Sequence, residues 1–156
     1  MRTVVAEALE LEIELDDNWK EIDNGEMAGL TRTEIDARFP NPAERLSIYA
    51  PLGNSGESWW ELYLRAGNVV DSLLHRPPGH YLIVSHGAFL NYIMRAIIGT
   101  PGIHSKIGHQ TPWFRFGNTG YAQVSYEPDN HTWHIQRIGE RTHLQNLNPR
   151  GNPDVP

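Results

Sequence analysis

The 156-residue sequence contains no cysteine, which excludes disulfides, thiolate nucleophiles and cysteine-based metal sites. The lack of disulfide chemistry fits a cytoplasmic location. Lysine is scarce as well: Lys20 and Lys106 stand alone, and the other cations are arginines. Positive charge is in deficit, with 13 Lys and Arg against 19 Asp and Glu and a formal net charge of −6 at pH 7. Neither basic clusters nor basic–aromatic interleaving occur, which argues against a nucleic-acid or anionic-membrane binder. Long apolar runs are missing too. No stretch approaches the roughly 18 apolar residues of a membrane span, and the first residues do not read as a signal peptide. What remains is ordinary globular composition, 39% hydrophobic and 21% charged, at a length that suits one domain with a real core.

Along the chain, Thr3 to Leu9 carries Val4, Val5, Ala8 and Leu9 on one side and predicts a helix. Glu12 to Leu15 alternates and predicts a short strand, followed by an Asp-Asp-Asn turn and a glycine-punctuated loop. Thr31 to Glu34 is a capping-box pattern that opens a short helix ended by Pro40. Ser58 to Glu61 is a second one, and the helix behind it places Leu62, Ala66, Val69, Val70, Leu73 and Leu74 on one side, with Pro77-Pro78-Gly79 as its stop. Tyr81 to Val84 reads as a buried strand running into Ser85-His86-Gly87, and a helix ended by Gly99 follows. Two alternating segments around Glu127-Pro128-Asp129-Asn130 predict a hairpin, and the Asn/Pro/Gly-rich residues from Gln145 predict a disordered tail. Strands alternating with helices predict an α/β fold, with ligands bound beyond strand carboxyl ends. Ser85-His86-Gly87 lies at such an end.

Three chemistries were open to that triplet. A nucleophile elbow needs Gly-x-Ser-x-Gly, and Ile83 stands where the leading glycine must be, so a serine hydrolase is disfavoured. A metal site needs further ligands at fixed spacing, and His104, His109, His131, His134 and His143 form no such pattern, so no metal is expected. The third is a polar side chain beside a helix N-terminus, whose free N–H groups favour an anion. Position alone leaves this equal to a blander reading, in which His86 only caps the helix.

Wider sequence context tips the balance. The stretch YLIVSHGAFLNYIMRAIIG resembles the second histidine motif of the histidine phosphatase superfamily, the phosphoglycerate-mutase-like fold. NWKEIDNGEMAGLT resembles the loop carrying that family's acid/base glutamate, four residues before a glycine, with Glu21 and Gly25 at those places. GNSGESWWELYLRAGNVVDSLL resembles its Gly-Glu-Ser stretch and helix, with Glu57 and Ser58 at the motif. The segment from Phe116 to Leu144 resembles its closing Asn-plus-hairpin region, with Asn118 and His143-Leu144 in place. Four motifs in order cover nearly the whole chain to Leu144.

The resemblance implies a three-layer α/β/α sandwich with a mostly parallel sheet over residues 1–144, and 145–156 as a tail. It also implies a phosphohistidine mechanism without a cofactor, on a small phosphorylated substrate, a homo-oligomer being left open. His86 would hold phosphoryl oxygens, Gly87 would lend backbone donors, and Glu21 would be the acid/base. Glu57, Ser58 and Asn118 are candidates for substrate contact, against plainer roles as helix charge, cap and turn. His143 is expected to be structural, Trp59 and Trp60 to pack, and Arg65 and Arg95 to lie on the surface. The family's nucleophile sits in an Arg-His-Gly motif on its first strand, and no such triplet occurs in the 156 residues. Ungapped register from Glu21 puts Arg2 at a variable position rather than at the family's second phosphate arginine, so Arg2 is expected on the helix surface. The expected reading is therefore an N-terminally incomplete phosphomonoester hydrolase, inactive as it stands. Hydrolase is preferred to mutase because the chain shows nothing like the mutases' longer insertions. The alternative is a non-catalytic module that binds phosphorylated ligands or a partner.

Overall fold

Ser58 and Thr31 each begin a helix in the way their sequences predict. In the computed structural model, which describes residues 2–40, 47–101 and 112–144, the Thr31 hydroxyl accepts from the Glu34 N–H while the Glu34 carboxylate accepts from the Thr31 N–H. Ser58 and Glu61 do the same. These reciprocal bonds satisfy donors that a helix start leaves unpaired. The helices are α1 (Arg2–Leu9), α2 (Arg32–Arg38), α3 (Trp59–Leu74) and α4 (Gly87–Ile97). Gly99, at φ +69°, follows the end of α4, as a left-handed stop requires. No helix among the described residues is long and apolar enough to cross a membrane.

The core lies where α3 packs on α4. Leu62, Ala66, Val69 and Val70 of α3 meet Phe89, Tyr92 and Ile93 of α4, with Ile22 and Leu52 closing the cluster from two loops. Trp59 stacks on Tyr92 at 5.6 Å between ring centroids, and Trp19 meets Phe89 edge-on at 5.9 Å. Residues 91–95 of α4 are all buried, so this helix is covered on every side rather than on one stripe. Arg95 was expected on the surface and is instead 3% exposed. Its Nε donates to the Pro112 carbonyl at 3.2 Å, and its guanidinium lies over the rings of Tyr92 and Trp113.

The hairpin forms as β1 (Tyr121–Glu127) and β2 (Thr132–Glu140), antiparallel, with Val124 opposite Ile135 and irregular register near Tyr121. It is the only ladder among the described residues. The two other segments expected as strands, 12–15 and 81–84, form no regular structure and make no backbone hydrogen bonds to any described residue. Tyr81, Leu82 and Val84 are correspondingly exposed rather than buried. A segment counts as a strand only when a neighbour pairs with it, and no described segment does so. The tail from Gln145, with His104 and His109, falls outside the described residues.

Candidate active site

Glu21 and His86 are 65 positions apart in sequence, and both stand at the start of α4. His86 is the N-cap residue, with extended backbone (φ −114°, ψ 160°), and its side chain makes no capping bond. The caps come instead from Glu21. One carboxylate oxygen accepts from the Phe89 N–H at 3.0 Å and the other from the Ala88 N–H at 3.2 Å. The first oxygen also accepts from the N–H of Ile22 at 3.0 Å. These are the second and third helical positions, whose donors an N-cap side chain ordinarily takes, and a negative group there is favoured by the helix dipole.

This geometry separates the two readings of His86. The imidazole does not cap the helix, and it is exposed, with no hydrogen bond to any described residue. The expectation that free helix N–H groups receive an anion needs correction, because the Glu21 carboxylate fills the donors of Ala88 and Phe89. The Gly87 N–H donates to no described residue, and a Cβ built at Gly87 would meet nothing within 4 Å.

Gly25, four residues after Glu21, has a packing reason to be glycine. Its φ is +52°, and a Cβ there would lie 2.3 Å from the Gly56 nitrogen and 2.6 Å from the Leu52 carbonyl. Two loops thus approach backbone to backbone, joined by the Glu57 N–H donating to the Asp23 carbonyl at 2.8 Å. The contact places Glu57 near the Glu21 loop. Its carboxylate is gripped by Arg65 through Nε and an Nη, at 2.8 and 2.7 Å. Both side chains are only about one-sixth exposed, 16% for Arg65 and 15% for Glu57. Arg65 is therefore no surface residue. Sequence patterning missed it because its partners are distant in the chain; the only trace is its place beside the apolar side of α3.

Ser58 is buried, and both its hydroxyl and its N–H are engaged with Glu61. Asn118 lies exposed in a turn closed by the Gly120 N–H donating to the Gly117 carbonyl, and no hydrogen bond links it to Glu21 or His86. His143 packs against the Tyr121 ring at 6.1 Å. No group of three or more metal-ligating side chains occurs among the described residues.

The sequence pattern of the histidine phosphatase superfamily (branch 1) matches residues 2–141. No curated protein sequence matches the chain. Among solved structures, one described as mycobacterial hydrolase 1 superposes with a TM-score of 0.67 at 22% identity, over 89% of this chain and 69% of that one. The mycobacterial glucosyl-3-phosphoglycerate phosphatase with inorganic phosphate gives 0.67 at 21% identity, over 89% and 70%. Mycobacterial hydrolase 2 gives 0.63 at 19% identity, over 94% and 69%. These likenesses show a shared fold.

Proposed function

The chain belongs to the histidine phosphatase superfamily, branch 1, and from that premise we propose that it serves phosphoryl transfer as a phosphomonoester hydrolase working through a phosphohistidine. The observation that carries the proposal is the meeting of Glu21 with the start of α4, where the His86 imidazole stands free of any capping bond. In this reading His86 and the Gly87 N–H hold phosphoryl oxygens and offset their charge as the phosphorus is attacked. A histidine nitrogen displaces the ester oxygen, and Glu21 gives that leaving oxygen a proton. Water then attacks the phosphorus, its proton passes to Glu21, and the P–N bond breaks to release phosphate. A phosphatase named for glucosyl-3-phosphoglycerate among the structural neighbours supports the phosphomonoester class.

The attacking histidine is proposed to come from outside these 156 residues, since they hold no Arg-His-Gly triplet. A strand carrying that histidine would complete a mostly parallel sheet in a three-layer sandwich, a reading supported by the absence of backbone hydrogen bonds between residues 81–84 and any described residue. Turnover of a chromogenic phosphomonoester tests the proposal. The 156-residue chain is expected to give none above buffer. Extension upstream through an in-frame Arg-His-Gly segment is expected to give turnover, which Glu21→Gln lowers by about a hundredfold or more. Turnover by the 156-residue chain, lost on His86→Ala, would sink the external nucleophile. If the coding region ahead of Met1 holds no such motif, or the extended protein binds phosphomonoesters without turning them over, the phospho-ligand-binding module is the better reading.

A further inference from the structure

We infer that Arg65 is a positioning residue for Glu21, holding the backbone that delivers the carboxylate to the start of α4. One Nη of its guanidinium donates to the carbonyl of Asn18 at 2.7 Å and to that of Lys20 at 2.9 Å. Between them, the Trp19 carbonyl accepts from the Ser85 hydroxyl at 2.6 Å. Three consecutive carbonyls immediately before Glu21 are thus each held by a side chain more than 40 positions away. The rest of the Arg65 fork is fixed on Glu57, at 2.8 and 2.7 Å. Its flat face lies over the Phe89 ring, with Cζ 4.3 Å from the centroid. Phe89 is also the residue whose N–H receives the Glu21 carboxylate. One side chain therefore touches both the residue that donates to Glu21, Phe89, and the residue that precedes Glu21, Lys20.

Only a planar, multi-donor cation can do this. A guanidinium offers five donors in a rigid fork and stacks on an aromatic face, whereas an ammonium is a point charge with neither property. Burial raises the cost of the cation, and the bidentate Glu57 carboxylate offsets it. Residues 18–20 belong to no ladder, and their backbone carries a single 3-10 turn, Asp17–Trp19, capped by Asp16. The helix pair packs through apolar side chains and does not need these carbonyls; the placement of Glu21 does. The functional weight of this role rests on the acid/base reading of Glu21.

Amide hydrogen exchange followed by NMR on the 156-residue chain tests the inference without needing turnover. Glu21→Ala frees the Ala88 and Phe89 amides and sets the full effect. Arg65→Lys keeps the charge and most of the stem, and Arg65→Gln removes the charge. Both are expected to raise exchange at Ala88 and Phe89 about tenfold, toward the Glu21→Ala rates, with Ile93 and Met94 changing by less than about twofold. Unchanged rates at Ala88 and Phe89 in Arg65→Lys, or a uniform rise along α4 in both variants, would overturn the positioning role. If the exchange moves as expected while Glu21→Gln leaves turnover of the upstream-extended enzyme intact, the acid/base reading fails and the positioning role stands.

Discussion

Gly25 and Ser58 each fix backbone next to a candidate site residue, Gly25 in the Glu21 loop and Ser58 after Glu57. At Gly25 a side chain would meet two backbone atoms, Gly56 N at 2.3 Å and Leu52 O at 2.6 Å, in a left-handed conformation. Neither atom can rotate away. Gly25→Ala is therefore expected to lose roughly 2–5 kcal/mol, the sum of the conformational and overpacking costs, read as a lower denaturant midpoint. Ser58→Ala removes a buried cap and is expected to cost about 1 kcal/mol at neutral pH. The hydroxyl and the N–H of Ser58 both donate to Glu61 and hold its carboxyl below the ordinary value of 4.5. A depressed folded-state value means stabilisation that is present above pH 4.5 and fades as pH falls through the lowered value. The gap between wild type and Ser58→Ala should accordingly narrow in acid, in denaturation curves collected between neutral pH and about pH 3. A gap independent of pH would mean that the cap acts without the Glu61 charge.

The helices carry their signals locally, and this is why they were legible. Thr31 and Ser58 sit three residues before a glutamate, and both boxes form. The apolar side of α3 supplies Leu62, Ala66, Val69 and Val70 to the core, as its spacing predicts. Leu62 is fully buried, so Leu62→Ala is expected to cost about 2–5 kcal/mol by cavity formation, measured by chemical denaturation, whereas Leu64→Ala on the half-exposed side should cost well under half of that. The arginines were misread for a reason that belongs to the same scale. A periodic pattern assigns charge to the solvent side of a helix, but it cannot see what another segment brings to that side. For Arg65 those partners are the carbonyls of Asn18 and Lys20; for Arg95 they are Pro112 and Trp113. Glu21 was singled out by its motif, yet its bonds to Ala88 and Phe89 had no local signature, because they join segments 67 and 68 positions apart.

At the scale of the molecule, the described residues pair only as the β1–β2 hairpin, not as the mostly parallel sheet that the sequence resemblance implies. Strand propensity at 12–15 and 81–84 is a statement about side chains; a ladder also needs a neighbour's backbone. The consequence is a concentration of exposed apolar side chains on chain that no described residue pairs with: Leu11, Ile13 and Leu15 in one segment, Tyr81, Leu82 and Val84 in the other. The hairpin adds Tyr121, Val124, Ile135 and Ile138, and a lone two-stranded ribbon is marginally stable in water. Unpaired N–H and C=O groups flanked by apolar side chains form a template for pairing with another chain. The 156-residue chain by itself is therefore expected to self-associate with rising concentration, seen as a mass increase in light scattering. Leu82→Lys together with Val84→Lys should suppress that association, because charge on an open edge opposes pairing. Substituting Leu64→Lys, equally apolar and exposed but on helix α3, should leave it unchanged. If all of these substitutions reduce association alike, general surface hydrophobicity is the cause, and the unpaired segment 81–84 loses its special place. If the pair at 82 and 84 acts alone, the segment beside His86 is the surface through which the chains pair.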